Sequence, residues 1–119
     1  MSLGQFRWFI DGKINVSENC VDRHADTTPD KIAIIWEKDE PGQEENISYG
    51  QLRGLVNQCA NVLQSYGVRR GDCITIYMPM SYMAVVAMLA CARIGALHNV
   101  VFAGFSADAL ATRIINGML

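Results

Sequence analysis

The run Phe102-Ala103-Gly104-Phe105-Ser106 holds the residue types best suited to receiving a ligand. Gly104 and the nearly as small Ala103 let the backbone approach a bound group closely. Ser106 is an N-cap residue for the amphipathic run that follows. A helix starting there offers unpaired N–H groups and the positive end of its dipole, suited to a phosphate or a polar edge of adenine. Phe102 or Phe105 can supply a face for a base. The same residues also describe an ordinary helix cap with its aromatics turned into the core, because one glycine is not a phosphate cradle. On the residues alone both readings stand. Met78-Pro79-Met80-Ser81 is a second loop of comparable placement.

The other reactive side chains form no constellation. His24 and His98 are isolated, with no carboxylate nearby in sequence, and His98 reads as a core or strand-end histidine. Cys20, Cys59, Cys73 and Cys91 include no Cys-x-x-Cys pair, and their uneven spacing fits no zinc pattern. Three of them sit in apolar periodic stretches, where free cysteine behaves as a small hydrophobe. Met78, Met80, Met83 and Met88 read as core filler, and Arg69, Arg70, Arg93 and Arg113 as solvated or helix-end charges. The acidic residues between Glu37 and Glu45 read as a solvated turn. There is no nucleophile–base pair, no paired acids and no Gly-x-x-x-x-Gly-Lys loop. No catalytic residue and no metal ligand is assigned.

The elements that must position the loops follow from periodicity. Trp8, Phe9 and Ile10 are apolar anchors before a turn at Asp11-Gly12. Ser17 is the expected N-cap of a short helix reaching about Ala25. Residues 31–37 are β-branched and apolar, a strand; with 47–49 across a turn at Pro41-Gly42 they make a hairpin. Ser48 and Gln51 have capping-box spacing, and Leu52, Leu55, Val56, Cys59, Ala60, Leu63 and Tyr66 form one apolar stripe closed by Gly67. Residues 73–77 are a strand, 82–94 a helix capped by Ser81 and ended by Gly95, 97–102 a strand, and 107–115 a helix. The helix at 82–94 is apolar all round and is expected to be buried against a sheet. Strand, helix, strand, helix with short links is a βαβ unit with parallel strands. The fold class is α/β, an incomplete doubly wound, mostly parallel sheet. It divides into an arm with a short helix (1–30), a hairpin with an amphipathic helix (31–72) and the βαβα unit (73–116). In such sheets ligands bind beyond the carboxyl ends of the strands, where both loops lie. Two or three strands with an uncovered edge are expected to be one part of a larger domain.

Composition narrows the class further. The chain is 50% hydrophobic and 18% charged, with a net charge of -2 and no basic cluster, which argues against nucleic acid as a partner. Residues 73–92 carry no charge over a length that could cross a bilayer, but Met78-Pro79-Met80 interrupts them where a helix would have to continue. No membrane span is expected. No cationic start with an apolar run and cleavage site is visible at the N-terminus. Sequons at Asn15 and Asn46 are outweighed by the better use of Ser17 and Ser48 as caps and by cysteine usage that fits a reducing compartment.

Several segments together carry a family resemblance. They are Trp8-Phe9 with Gly12-Lys13-Ile14-Asn15-Val16, Asn19 to His24, Ala33 to Glu37, Glu40-Pro41-Gly42, Ile76 to Met80, Ala87 to Ala96, and Val101 to Ala107. In this wording and order the chain resembles the N-terminal part of the AMP-forming acetyl-coenzyme A synthetases of the adenylate-forming superfamily. The resemblance runs through essentially the whole chain. It implies a large N-terminal domain and a small mobile one, with ATP, coenzyme A and Mg2+ as cofactors and acetate as substrate. Acetyl-adenylate and pyrophosphate form first, and coenzyme A then displaces AMP. The family's phosphate loop, acyl pocket, hinge aspartate and catalytic lysine, and the arginines that meet the coenzyme's 3′-phosphate, have no matching positions here. The segment alone is therefore expected to be inactive. One feature carries over: the family's Phe-Gly-Gly-like loop lies along the adenine end of coenzyme A and matches Phe102, Ala103 and Gly104, with Ala103 departing from the usual glycine. The implied partners are small molecules, in the cytoplasm or, alternatively, the mitochondrial matrix. A propionate-preferring relative and a short non-catalytic product binding a coenzyme or partner through an open sheet edge are the alternatives.

Overall fold

The computed structural model describes Gly4 and residues 7–117. The chain enters through a turn in which the Gly12 N–H donates to the Phe9 carbonyl at 2.8 Å, leaving Trp8, Phe9 and Ile10 exposed. A helical segment follows, made of a π-helical turn (Glu18–Asp22) and helix α1 (Arg23–Thr27). Its cap is Asn15, not Ser17. The Asn15 Oδ1 accepts from the N–H groups of Ser17 at 2.9 Å and Glu18 at 3.4 Å. Ser17 already has helical φ/ψ of -63° and -41°, and its Oγ is buried without a partner. Asparagine caps as well as serine does, so sequence could not choose between the two positions.

Strands β1 (Ile32–Glu37) and β2 (Glu44–Ser48) pair antiparallel, with a register shift between Ile32 and Ile34. Helix α2 (Tyr49–Ser65) starts on the expected capping box. The Gln51 N–H donates to Ser48 Oγ at 3.3 Å, and the Ser48 N–H donates to Gln51 Oε1 at 2.9 Å. It ends in a Schellman motif: with Gly67 at φ 91°, the Val68 N–H reaches the Leu63 carbonyl and the Gly67 N–H that of Gln64. Tyr66 falls past the helix end and is exposed, so the apolar stripe stops at Leu63.

Strand β3 (Cys73–Met78), helix α3 (Tyr82–Ile94), strand β4 (Leu97–Phe102) and helix α4 (Ala107–Gly117) complete the order. β3 and β4 pair in parallel from Cys73↔Leu97 to Met78↔Phe102. The fold is α/β, with one parallel and one antiparallel pair of strands among the described residues. Ser81 occupies the N-cap of α3 in an extended conformation, but its hydroxyl accepts no bond from the first turn. Gly95, at φ 76°, closes the helix.

The core lies between α2 and α3. Leu52, Val56 and Ala60 of α2 meet Val86 and Ala90 of α3, with Val21 and Ile47 completing the cluster. The all-round apolar character of α3 has its reason here: α2 covers one side, and β3 and β4 lie against another. Helix α4 has no buried residue and rests lightly on β4. No helix among the described residues is long and apolar enough to cross a membrane. The uncharged stretch 73–92 divides into β3, the break at Pro79 and the start of α3.

Asn15 does more than cap. Its Nδ2 donates to the carbonyls of Ala92 and Arg93, each at 3.1 Å, satisfying acceptors left over at the end of α3. Nearby, Arg93 Nη2 pairs with Asp22 Oδ1 at 2.8 Å, both side chains about four-fifths buried (23% and 21% exposed). Arg93 is therefore a tie between helices, not the solvated helix-end charge that sequence suggests. Asn15→Ala is expected to lower unfolding free energy by about 1–2 kcal/mol. Asn15→Asp keeps the cap but turns a negative charge on the α3 carboxyl end, so it should not recover wild-type stability. Denaturant titrations of the two variants check both statements; an Asn15→Asp protein as stable as wild type would remove the second role.

Candidate functional site

Parallel pairing of Met78 with Phe102 brings the ends of β3 and β4 level, so the two loops that follow emerge side by side. The corner after β4 is a tight turn closed by the Phe105 N–H donating to the Phe102 carbonyl at 3.0 Å. Ser106 caps α4, with its Oγ accepting from the Ala109 N–H at 3.3 Å. Phe102 and Phe105 meet edge to face, with ring centroids 5.7 Å apart.

The two sequence readings of this corner each hold in part. The serine cap is present, but the aromatics do not turn into the core: Phe102 is 66% exposed, Phe105 is 37% exposed, and Ala103 and Gly104 are also exposed. Phe102 directly follows Val101, which is buried at 1% exposure. The structure also gives Gly104 a steric reason. A Cβ there would fall 2.6 Å from Phe102 Cε1, so the ring lies over the space a side chain would need. A side chain at Gly104 would have to displace the exposed Phe102 ring, and the Gly104 backbone is not left-handed.

Two supports of the corner were not legible in the sequence. The Tyr77 phenol, from β3, lies 2.9 Å from both the Ala103 and Phe105 carbonyl oxygens. The Arg113 guanidinium, from α4, stands 4.2 Å over the Phe105 ring, a cation–π contact in place of a solvated charge. Finding Tyr77 requires the parallel register; Arg113 had a weak signal, lying two helical turns after Ser106.

The loop after β3 is tied differently. The Trp36 indole N–H donates to the Met80 carbonyl at 3.2 Å, and its ring meets Tyr82 edge to face. Lys38 lies 5.1 Å over the same ring. An open groove of about 700 Å3 runs between Trp36, Lys38, Gln43, Pro79 and Met80. Met80 is 86% exposed and Met83 is exposed too, so the methionines are not all core filler.

The remaining candidates stay apart. His98 is exposed on β4, and His24 stacks on Tyr49 with centroids 4.9 Å apart. Among the described residues no three His, Cys, Asp or Glu side chains are grouped so as to hold a metal ion. All four cysteines are free; Cys20 is exposed and Cys91 buried. Burial pushes the Cys59 thiol above its ordinary value, and burial with the neighbouring Cys59 thiol does so for Cys91. A thiol held protonated is a poor nucleophile.

Short loops gathered at the carboxyl ends of parallel strands place this α/β chain in a fold class whose ligand sites lie at such strand ends. The chain matches the AMP-binding enzyme family over residues 21–116, and it belongs to that family. It is 57% identical over 111 residues to an acetyl-coenzyme A synthetase of Shewanella pealeana, covering 93% of this chain and 17% of that protein. It is 55% identical over 113 residues to the human protein named acetyl-coenzyme A synthetase 2-like, mitochondrial, covering 95% of this chain and 16% of that one. The chain thus spans about 17% of the length of the curated relatives it matches. In structure it resembles a Brucella canis acyl-CoA synthetase with a TM-score of 0.80 at 24% identity, over 87% of this chain and 19% of that one, a likeness of fold.

Iodoacetamide at neutral pH is expected to label Cys20 well before Cys59 and Cys91, and peptide mapping of partially labelled protein reads the order. The raised thiol values also set a pH dependence. Their stabilising effect is complete below the ordinary 9.0 and is lost as pH rises through the elevated values. Denaturation midpoints that rise with pH in that alkaline range would contradict the assignment.

Proposed function

We propose that this chain is an N-terminal segment of the large domain of an AMP-forming acetate–CoA ligase. In the reaction, an acetate oxygen attacks the α-phosphorus of Mg2+-bound ATP, forming acetyl-adenylate and releasing pyrophosphate. The coenzyme A thiol then attacks the acetyl carbon, and the bond to AMP breaks. The observation that carries the reading is 55–58% identity to acetyl-coenzyme A synthetases over more than nine-tenths of the chain. No catalytic role is assigned to a residue of this segment. The cytoplasm fits the bacterial relatives; the mitochondrial matrix, suggested by the human relative's name, is the alternative.

Within the segment, Phe102, Ala103 and Gly104 are the residues proposed to meet the adenine end of coenzyme A. The exposed Phe102 face suits stacking on a base. Gly104 carries no side chain, so the Phe102 ring lies against the turn at its position. Ala103 adds one methyl group to this surface, which narrows the corner without closing it.

Two measurements test the reading. In the full-length polypeptide, Phe102→Ala should raise the KM for coenzyme A by about tenfold, in line with loss of one base–aromatic stack, while the KM for acetate stays at the wild-type value. An unchanged coenzyme KM would remove the corner from the binding site. Residues 1–119 alone should release no pyrophosphate in an acetate-dependent manner; release would place the ATP-handling groups inside this segment and overturn the assignment.

A further inference from the structure

We propose that Tyr77 is the positioning residue of the coenzyme corner: by holding two carbonyls toward itself, it turns two backbone N–H groups to the opposite side as donors to the ligand. This rests on the reading of residues 102–104 as the place where the adenine end lies. Tyr77 is the penultimate residue of β3 and pairs with Val101, so its ring stands beside the last turn of chain before the corner. From there its hydroxyl is 2.9 Å from the carbonyl oxygens of Ala103 and Phe105, which bracket Gly104. The phenol has one proton, shared between the two acceptors.

The consequence comes from peptide geometry. All peptide bonds of the described residues are trans, and in a planar trans peptide the C=O and the following N–H point in opposite directions. With the Ala103 carbonyl held toward Tyr77, the Gly104 N–H points away from it; with the Phe105 carbonyl held, so does the Ser106 N–H. Neither N–H has a backbone acceptor among the described residues, whereas the Phe105 N–H between them is committed to the Phe102 carbonyl. Two free donors flanking a committed one, beside the exposed Phe102 ring, match an acceptor-rich edge such as a purine nitrogen or a phosphate oxygen. Without the hydroxyl, both peptides could rotate and the donors would no longer be set in advance.

The test uses Tyr77→Phe in the full-length polypeptide, which removes one oxygen and keeps the ring. The KM for coenzyme A should rise about three- to tenfold, the loss expected for one shared hydrogen bond, with kcat and the KM for acetate unchanged. A structural role alone would move all the kinetic constants together, and that outcome overturns the proposal. Phe102→Ala, measured alongside, separates the two levels. If Phe102→Ala raises the coenzyme KM and Tyr77→Phe does not, Tyr77 has no positioning role. If neither does, the corner is not the coenzyme site and both readings fall.

Discussion

The seam between α2 and α3 is the contact on which the rest of this chain hangs. Val56 and Val86 have no exposed surface, and Ala60 and Ala90 are small enough to let the helix backbones approach closely. Among the described residues each sheet has two strands, a size that is marginal in water without a packed face. The antiparallel pair gains that face on α2, through Ile47, and the parallel pair gains it on α3. Asn15 and the Asp22–Arg93 pair fasten the opening helix to the end of α3, so this segment too is referred to the same seam.

Where the sequence was legible, the signal was local. Ser48 and Gln51 make a reciprocal cap that depends on three residues of spacing, and Gly67 and Gly95 take the left-handed backbone that a β-carbon disfavours. Periodicity located α2, and the cap, the closing glycine and the continuous apolar runs located α3 and both strands of the parallel pair, each to within a residue or two. Choices between equivalent local signals were not legible. Asn15 and Ser17 are both good caps, and the outcome was settled by the distant carbonyls of Ala92 and Arg93, which only an amide side chain can serve while also capping. Tyr66 continued the apolar stripe on paper, but the Schellman turn ended the helix before it.

The corner at residues 102–106 shows the same division. Its glycine, serine cap and aromatics could be named from the sequence, and so could its place at the carboxyl end of a strand. The reason for Gly104 could not, since it depends on where the Phe102 ring folds. Tyr77 and Arg113 were hidden for a further reason: each reaches the corner from a different element, and the parallel register that brings Tyr77 there is a tertiary fact.

The change in environment along β4 explains how so exposed a corner keeps a defined shape. Val101 is anchored in the interior, and the next residue is two-thirds exposed. A loop this short has few backbone angles to vary once its first residue is fixed by a buried neighbour and its last by a helix cap. Tyr77 removes further freedom by bonding both carbonyls around Gly104. Ordering therefore comes from β3, β4 and α4 acting on the loop from three sides.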